Sequence, residues 1–183
     1  MPKNKIELSQ HPEKLFIEEL VAEDFTVFGV GMNFTVESMH LEEVINTGFE
    51  RYPDGISLTS FRNNKAYYTL DNIEYEYPLN DRINSVIEHG GWLQMKTGVT
   101  YRIKNNIVVE IHIDKPLITF YQSLPKNLIE IRFGKADKIK EFWESYDNTL
   151  FTTDFVYEHR KIRVFYDDWD EQIDSINMGE SLL

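Results

Sequence analysis

Cysteine is absent from the 183 residues of this chain. Its absence excludes disulfide bonds, thiolate catalysis and metal sites built on cysteine ligands, and it fits a reducing compartment. Glycine and proline are scarce, with nine and six residues. This composition is that of a folded domain and not of a disordered tail.

Long apolar runs are also missing. No stretch approaches the length that a bilayer-spanning helix needs. The first sixteen residues lack the apolar core of a secretory signal. These absences predict a cytoplasmic protein that does not enter a membrane.

Basic residues are few: 19 Lys and Arg stand against 31 Asp and Glu, a formal net charge of −12. Such a surface repels nucleic-acid phosphate and anionic lipid, and it speeds encounter with basic partners. The charge predicts a basic protein partner and no nucleic acid. The alternative is that the charge only keeps the protein soluble.

Aromatic residues are plentiful at 14% of the chain, and together with Ile and Val they favour strands. Two alternating runs, 99–104 and 107–114, flank Asn105 and Asn106 and predict an antiparallel hairpin with one buried face. A two-residue turn places Tyr101 opposite Glu110, which mixes apolar and charged residues on one face. We therefore predict an odd-length loop, which pairs Tyr101 with Ile111 and Arg102 with Glu110.

Caps and apolar spacing predict helices over 12–23, 35–46, 79–88, 124–134 and 137–146. In the last of these the apolar residues recur at i, i+3, i+4 and i+7, the spacing of a core-facing helix stripe: Ile139, Phe142, Trp143 and Tyr146. Further strands are predicted over 25–30, 56–61, 65–70, 73–77, 154–158, 162–166 and 172–178.

The predicted fold class is α+β, an antiparallel sheet of hairpins and meanders with helices packed on one face. We expect a single domain over 1–183, or two lobes that divide near residues 90–91. A helix that ends in glycine precedes a hairpin three times, which indicates repeated helix–hairpin units or convergence on one pattern. The helical parts of these units are 36–48, 82–90 and 124–134.

One strand face carries candidate metal ligands. Glu110, His112 and Asp114 stand at i, i+2 and i+4 of the second hairpin strand and so point to the same side. A histidine with two carboxylates can hold zinc, manganese or iron. Against this, Arg102 is predicted opposite Glu110, where it would neutralise a ligand. The alternative function is that the protein binds a metal or a small ligand at this strand face, or is a hydrolase that uses it.

A second candidate is the acidic turn between the last two predicted strands: Asp167, Asp168, Trp169, Asp170 and Glu171. The Asp-x-Asp-x-Asp-Gly ladder of a calcium loop is absent. An exposed indole inside a ring of carboxylates is suited to anchor a basic partner. The alternative is that Trp169 folds back onto the sheet.

Catalytic and nucleotide motifs are missing. The sequence contains no GxSxG, no GxxxxGK and no GxGxxG. It therefore favours a non-enzymatic protein and predicts no cofactor.

The last third of the chain resembles a module of small bacterial α+β proteins, in which a helix ends in a Gly-Lys-Pro-Asp-like turn and leads into a short meander. Ala136 stands where proline is usual in that turn. Some of these proteins resemble immunity proteins that neutralise toxins, and the resemblance implies a binding module of that type. The residues that carry it are 128–137, 157–158, 162–167 and 173–176.

Overall fold

The computed structural model describes residues 6–7, 21–51, 56–114 and 123–179. Most of the predicted helix over 12–23 lies outside these residues, and its end meets a short 3-10 turn at Ala22–Asp24. Within the described part no helix is long and apolar enough to cross a bilayer.

Fourteen strands and two α-helices make up the regular structure of the described residues. The helices are α1 (Leu79–His89) and α2 (Ile129–Phe133). The strands, in chain order, are β1 (Ile6–Glu7), β2 (Phe25–Val27), β3 (Val30–Gly31), β4 (Val44–Phe49), β5 (Leu58–Arg62), β6 (Lys65–Leu70), β7 (Ile73–Tyr77), β8 (Gly91–Met95), β9 (Val99–Lys104), β10 (Ile107–Asp114), β11 (Lys138–Trp143), β12 (Leu150–Tyr157), β13 (Ile162–Asp167) and β14 (Gln172–Gly179).

Eight of these strands form one antiparallel sheet in the order β11-β12-β13-β14-β10-β9-β8-β4. Strands β5, β6 and β7 form a separate three-stranded meander, as their spacing predicted. The predicted antiparallel, sheet-rich architecture is confirmed. The repetition of helix–hairpin units and the packing of helices on one face are not shown by the described residues.

The central hairpin has the predicted strands, but its loop prediction was wrong. Asn105 and Asn106 form a two-residue turn with φ of 52° and 62°, the left-handed pair that a type I′ turn needs. A β-bulge between Val108 and Glu110 then shifts the register by one residue. The shift restores the predicted pairs of Arg102 with Glu110 and Tyr101 with Ile111. The bulge thus produces the register that the predicted longer loop would have given.

Replacing Asn105 tests this turn. In Asn105→Ala the β-carbon disfavours φ of 52°, and we expect a loss of about 1 kcal/mol in the free energy of unfolding. Asn105→Gly tolerates the left-handed conformation and should unfold within a few tenths of a kcal/mol of wild type. Urea unfolding measures both. Equal losses in the two variants would show that the asparagine side chain matters and its backbone conformation does not.

The core lies against the inward side of the main sheet. Alternate residues of β9, β10, β13 and β14 are fully buried there. The Tyr101 hydroxyl donates to the Val27 carbonyl at 2.8 Å and so ties the 21–39 segment to the sheet. Helix α1 contributes Ile83 and Val86 to the same cluster, and α2 contributes Ile129 and Phe133.

The helix predicted over 35–46 was wrong. Two 3-10 turns, Val36–Ser38 and Leu41–Glu43, precede strand β4, which pairs with β8 at one edge of the main sheet. Val44, Ile45 and Thr47 are β-branched and lose rotamer freedom in a helix, so pairing with β8 outweighs the helical spacing. In the first of the three proposed repeat units, two 3-10 turns and a strand therefore stand where a helix was predicted. Pairing with β8 also joins residues on both sides of 90–91 in one sheet.

The helix predicted over 137–146 was also wrong. Its residues form strand β11, the opposite edge of the main sheet, which pairs only with β12 among the described residues. The apolar residues that suggested a core-facing stripe are all exposed, and Tyr146 is 97% exposed. Ile, Phe, Trp and Tyr favour strands. Pairing with β12 therefore outweighs the helical spacing of these apolar residues. The helix predicted over 124–134 is present as a 3-10 turn at Lys126–Leu128 followed by α2.

Candidate functional site

The acidic turn 167–171 is held by its own carboxylates. Asp167 Oδ1 accepts hydrogen bonds from the backbone N–H groups of Trp169 and Asp170, both at 3.0 Å. The Asp168 N–H donates to the Phe151 carbonyl at 3.0 Å and so fastens the turn to β12. Glu171 has φ of 53° and closes the turn. Part of the acidic cluster therefore stabilises the turn itself.

Asp168 points inward from this turn. Its Oδ1 accepts from Lys126 Nζ at 2.6 Å and its Oδ2 from Thr153 Oγ1 at 2.6 Å. The side chain is 10% exposed, and charged hydrogen bonds at this depth are stronger than bonds in water. Asp168 thus joins the turn, the 3-10 turn before α2, and β12.

Removing this carboxylate is expected to loosen all three. For Asp168→Ala we expect a loss of about 2 kcal/mol in the free energy of unfolding, because Lys126 and Thr153 lose their acceptor. Asp170→Ala, in the same turn but exposed, should cost less than about 0.5 kcal/mol. Thermal unfolding of the two variants measures the difference, and comparable losses would contradict the anchoring role of Asp168.

Trp169 stands at the tip of the turn and is 70% exposed, so it does not fold back onto the sheet. It lines a cavity of about 250 Å³ together with Glu144, Asp147, Thr149 and Phe151. We call these five residues the Trp169 surface. Phe151 is 53% exposed, so two large apolar side chains meet solvent beside two carboxylates. Adjacent exposed apolar groups with a polar rim are more typical of interaction sites than apolar groups scattered singly.

A larger cleft of about 720 Å³ lies next to β11 on the core side of the sheet. Its apolar wall is formed by Ile139, Phe155 and Tyr166. The carboxylates in its lining are Glu130, Glu141, Asp168 and Glu171, and its one ammonium, Lys126, is bonded to Asp168. Burial raises the pKa of the Tyr166 phenol, and the nearby charges of Glu171 and Asp168 raise it further. The cleft therefore has a negative potential over an apolar wall, which suits a cationic group with an aliphatic stem.

The predicted metal ligands lie on one face of β10, as the alternation predicted, but Glu110 is buried at 4% exposure and not part of a solvated face. Its Oε1 accepts from Arg102 Nη1 at 2.6 Å, and its Oε2 lies 2.8 Å from His112 Nε2. Arg102 also bonds Glu50 and stands 5.3 Å from the centre of the Trp92 ring. These contacts form an ion network that joins β9, β10 and the residue after β4, with the Trp92 ring of β8 beside Arg102.

The network determines the direction in which the pKa of Glu110 is shifted. Burial alone raises the pKa of Glu110, but hydrogen bonds from His112 and Arg102 outweigh it and hold the pKa below its usual 4.5. Asp114 lies outside the hydrogen bonds of this network, and burial together with the charge of Asp174 raises its pKa, against a smaller opposing effect of His112. Sequence reasoning missed the burial of Glu110, because nothing in the alternation shows that the second face of the strand is also covered.

No group of three or more metal-ligating side chains comes together among the described residues. A metal at Glu110, His112 and Asp114 would have to displace Arg102 from Glu110, so the metal site stays a prediction of the sequence alone. Ile139 and Glu141 of β11 line the cleft beside the predicted acidic turn. The Trp169 surface is formed by that turn, the loop between β11 and β12, and Phe151 of β12. No known family model, curated protein or solved structure matches this chain.

Proposed function

We propose that this is a non-enzymatic protein that binds and inhibits a basic partner protein, in the manner of a cytoplasmic immunity protein against a toxin domain. The observation that carries the proposal is Trp169, exposed beside Phe151 over a cavity with Glu144 and Asp147 in its lining. Aromatic anchors within a charged rim are the usual source of binding energy in protein interfaces. The net charge of −12 supplies long-range attraction to a cationic protein and repulsion of nucleic acid.

A second exposed apolar region lies on the β5–β7 sheet and includes Phe61 and Ile73. Its charges neutralise one another, since Arg62 pairs with Glu74 and Lys65 with Glu76. No residue of this sheet lines the cavity beside Trp169 or the larger cleft next to β11. Charge complementarity to a basic partner therefore favours the Trp169 surface, and the β5–β7 sheet provides a control of similar exposure.

Co-expression tests the proposal. The product encoded immediately upstream in the native genome is expressed in a host with and without this protein. We expect that product to be basic, to arrest growth alone, and to be neutralised by wild type. Phe61→Ala should neutralise it as well, and Trp169→Ala should not. A harmless upstream product, or growth arrest that wild type fails to relieve, would overturn the proposal.

Salt dependence gives an independent measurement on the purified complex. Because the attraction is between net charges, raising NaCl from about 0.1 to 0.5 M should slow association about tenfold or more, with a smaller change in dissociation. Stopped-flow mixing separates the two rates. An association rate that ignores salt would remove electrostatic steering from the mechanism.

A further inference from the structure

Strand β11 is one edge of the main sheet in the described part of the chain. It pairs with β12 on one side, and no described residue pairs with it on the other. All six of its residues are exposed. Its outer N–H and C=O groups are therefore a template for another strand. Lys138 and Lys140 are the kind of residue that discourages such pairing, but exposed Phe142 and Trp143 on the same strand are not.

The surroundings of this edge are suited to a basic strand. Glu141 and Ile139 of β11 line the acidic cleft, and side chains of an added strand would alternate between that cleft and the opposite face of the sheet. Every second side chain would then reach a wall with Glu130 and Glu171 in it. The Trp169 surface continues the same end of the sheet, through the loop that joins β11 to β12 and through Phe151 of β12.

Charge argues against a second copy of this chain as the added strand. Two β11 strands could pair antiparallel with the same face of each strand toward the core. The two registers with the most overlap then place Lys140 opposite Lys140 of the copy, or Glu141 opposite Glu141 of the copy. Each places like charges directly opposite each other, which destabilises a strand pair. The excess of carboxylates in the cleft would likewise meet the carboxylates of the copy.

We propose that the partner docks by adding an extended segment to the free edge of β11, with alternate Lys or Arg side chains in the acidic cleft. This rests on the proposed function, the binding of a basic protein, and it assigns the mode of recognition. Backbone hydrogen bonds along β11 supply affinity, and the cleft selects basic residues at every second position.

A synthetic peptide tests this mode directly. The probe is a nine-residue peptide in which lysine alternates with valine, and its control has the same composition with the lysines in one block. We expect the alternating peptide to bind at least tenfold more tightly to the full chain, and amide hydrogen exchange in β11 to slow while exchange in β5 and β7 is unchanged.

Proline substitution in β11 is a second test of docking at this edge. Successive N–H groups of a strand point to opposite sides, so one of Lys140 and Glu141 donates to β12 and the other faces the open edge. Lys140→Pro and Glu141→Pro are both made, and thermal unfolding identifies the one that keeps the wild-type melting temperature. That variant should bind the alternating peptide at least tenfold more weakly.

The outcomes separate this inference from the proposed function. Equal binding of the two peptides, or undiminished binding by the stable proline variant, overturns edge docking. If co-expression still shows neutralisation in that case, the function stands and only the mode is wrong. A dimer in sedimentation that the stable proline variant dissolves would assign the edge to a second copy and also overturn the proposal. If co-expression alone fails, the proposed function is wrong. Tighter binding of the alternating peptide would then still support docking of a basic strand at β11.

Discussion

Trp169→Ala should raise the Kd for the upstream product about 30-fold to 100-fold, which corresponds to about 2–3 kcal/mol. Trp169 is 70% exposed in the free protein, so its truncation leaves no hole in the core and costs little stability. The loss falls on binding because the indole is the largest apolar group of the Trp169 surface. Isothermal titration calorimetry gives the affinities, and circular dichroism checks that the variant is folded.

The matched control is Phe61→Ala, which removes a ring of 53% exposure from the β5–β7 sheet. It should change the Kd less than about threefold, because single exposed apolar groups outside an interface carry little binding energy. If Phe61→Ala weakens binding and Trp169→Ala does not, the interface lies on the β5–β7 sheet and the proposed surface is wrong.

Glu110→Ala is expected to be the most destabilising of the charge deletions, at about 3 kcal/mol. The carboxylate is buried at 4% exposure and accepts from Arg102 at 2.6 Å. Removing it leaves a largely buried guanidinium with fewer partners, and that desolvated charge dominates the cost. Glu50→Ala removes the other carboxylate bound to Arg102 from a more exposed site. We expect it to cost about 1 kcal/mol or less. Urea unfolding compares the two, and equal losses would contradict a special role for burial.

The same carboxylate predicts a pH dependence. The pKa of Glu110 is lowered in the folded protein, so its contribution to stability is fully present above the unfolded value near 4.5. That contribution is lost as the pH falls through the lower, folded pKa. Glu110→Gln cannot titrate at this position, so the stability gap between wild type and Glu110→Gln should shrink as the pH is lowered from 7 to about 3. Because Asp114 and Asp154 are unchanged in this comparison, their own titration largely cancels. A gap that stays constant would show that the ionised form of Glu110 is not the one stabilised.

Local sequence signals predicted several elements correctly. The structure contains α1, β9 and β10 as predicted. The signals for them act within about ten residues: the Asn105–Asn106 pair and the alternation around it for the hairpin, and apolar spacing with a terminal glycine for α1. The pairing of Arg102 with Glu110 was also predicted, because only one register buries a continuous apolar face. The bulge that achieves it was not predicted, since a bulge and a longer loop satisfy the same burial pattern.

The acidic turn was visible in the sequence, but its surroundings were not. Whether Trp169 is covered or exposed depends on which residues reach it from β12 and from the loop before it, and those contacts span some twenty residues of chain. Likewise, the predicted pairing of Arg102 with Glu110 did not show that Glu50 joins them or that Glu110 is buried.

By itself, the sequence determined the strands of the central hairpin, the strands of the β5–β7 meander and the net charge, because these depend on residue type and on neighbours a few positions away. The tertiary structure decided the role of 138–143, where the spacing of the apolar residues fits a helix but the residue types favour a strand. The β12 strand beside them offers hydrogen-bond partners for a strand and none for a helix. That single choice turns an expected core stripe into an open sheet edge, and the acidic cleft beside it exists because of it.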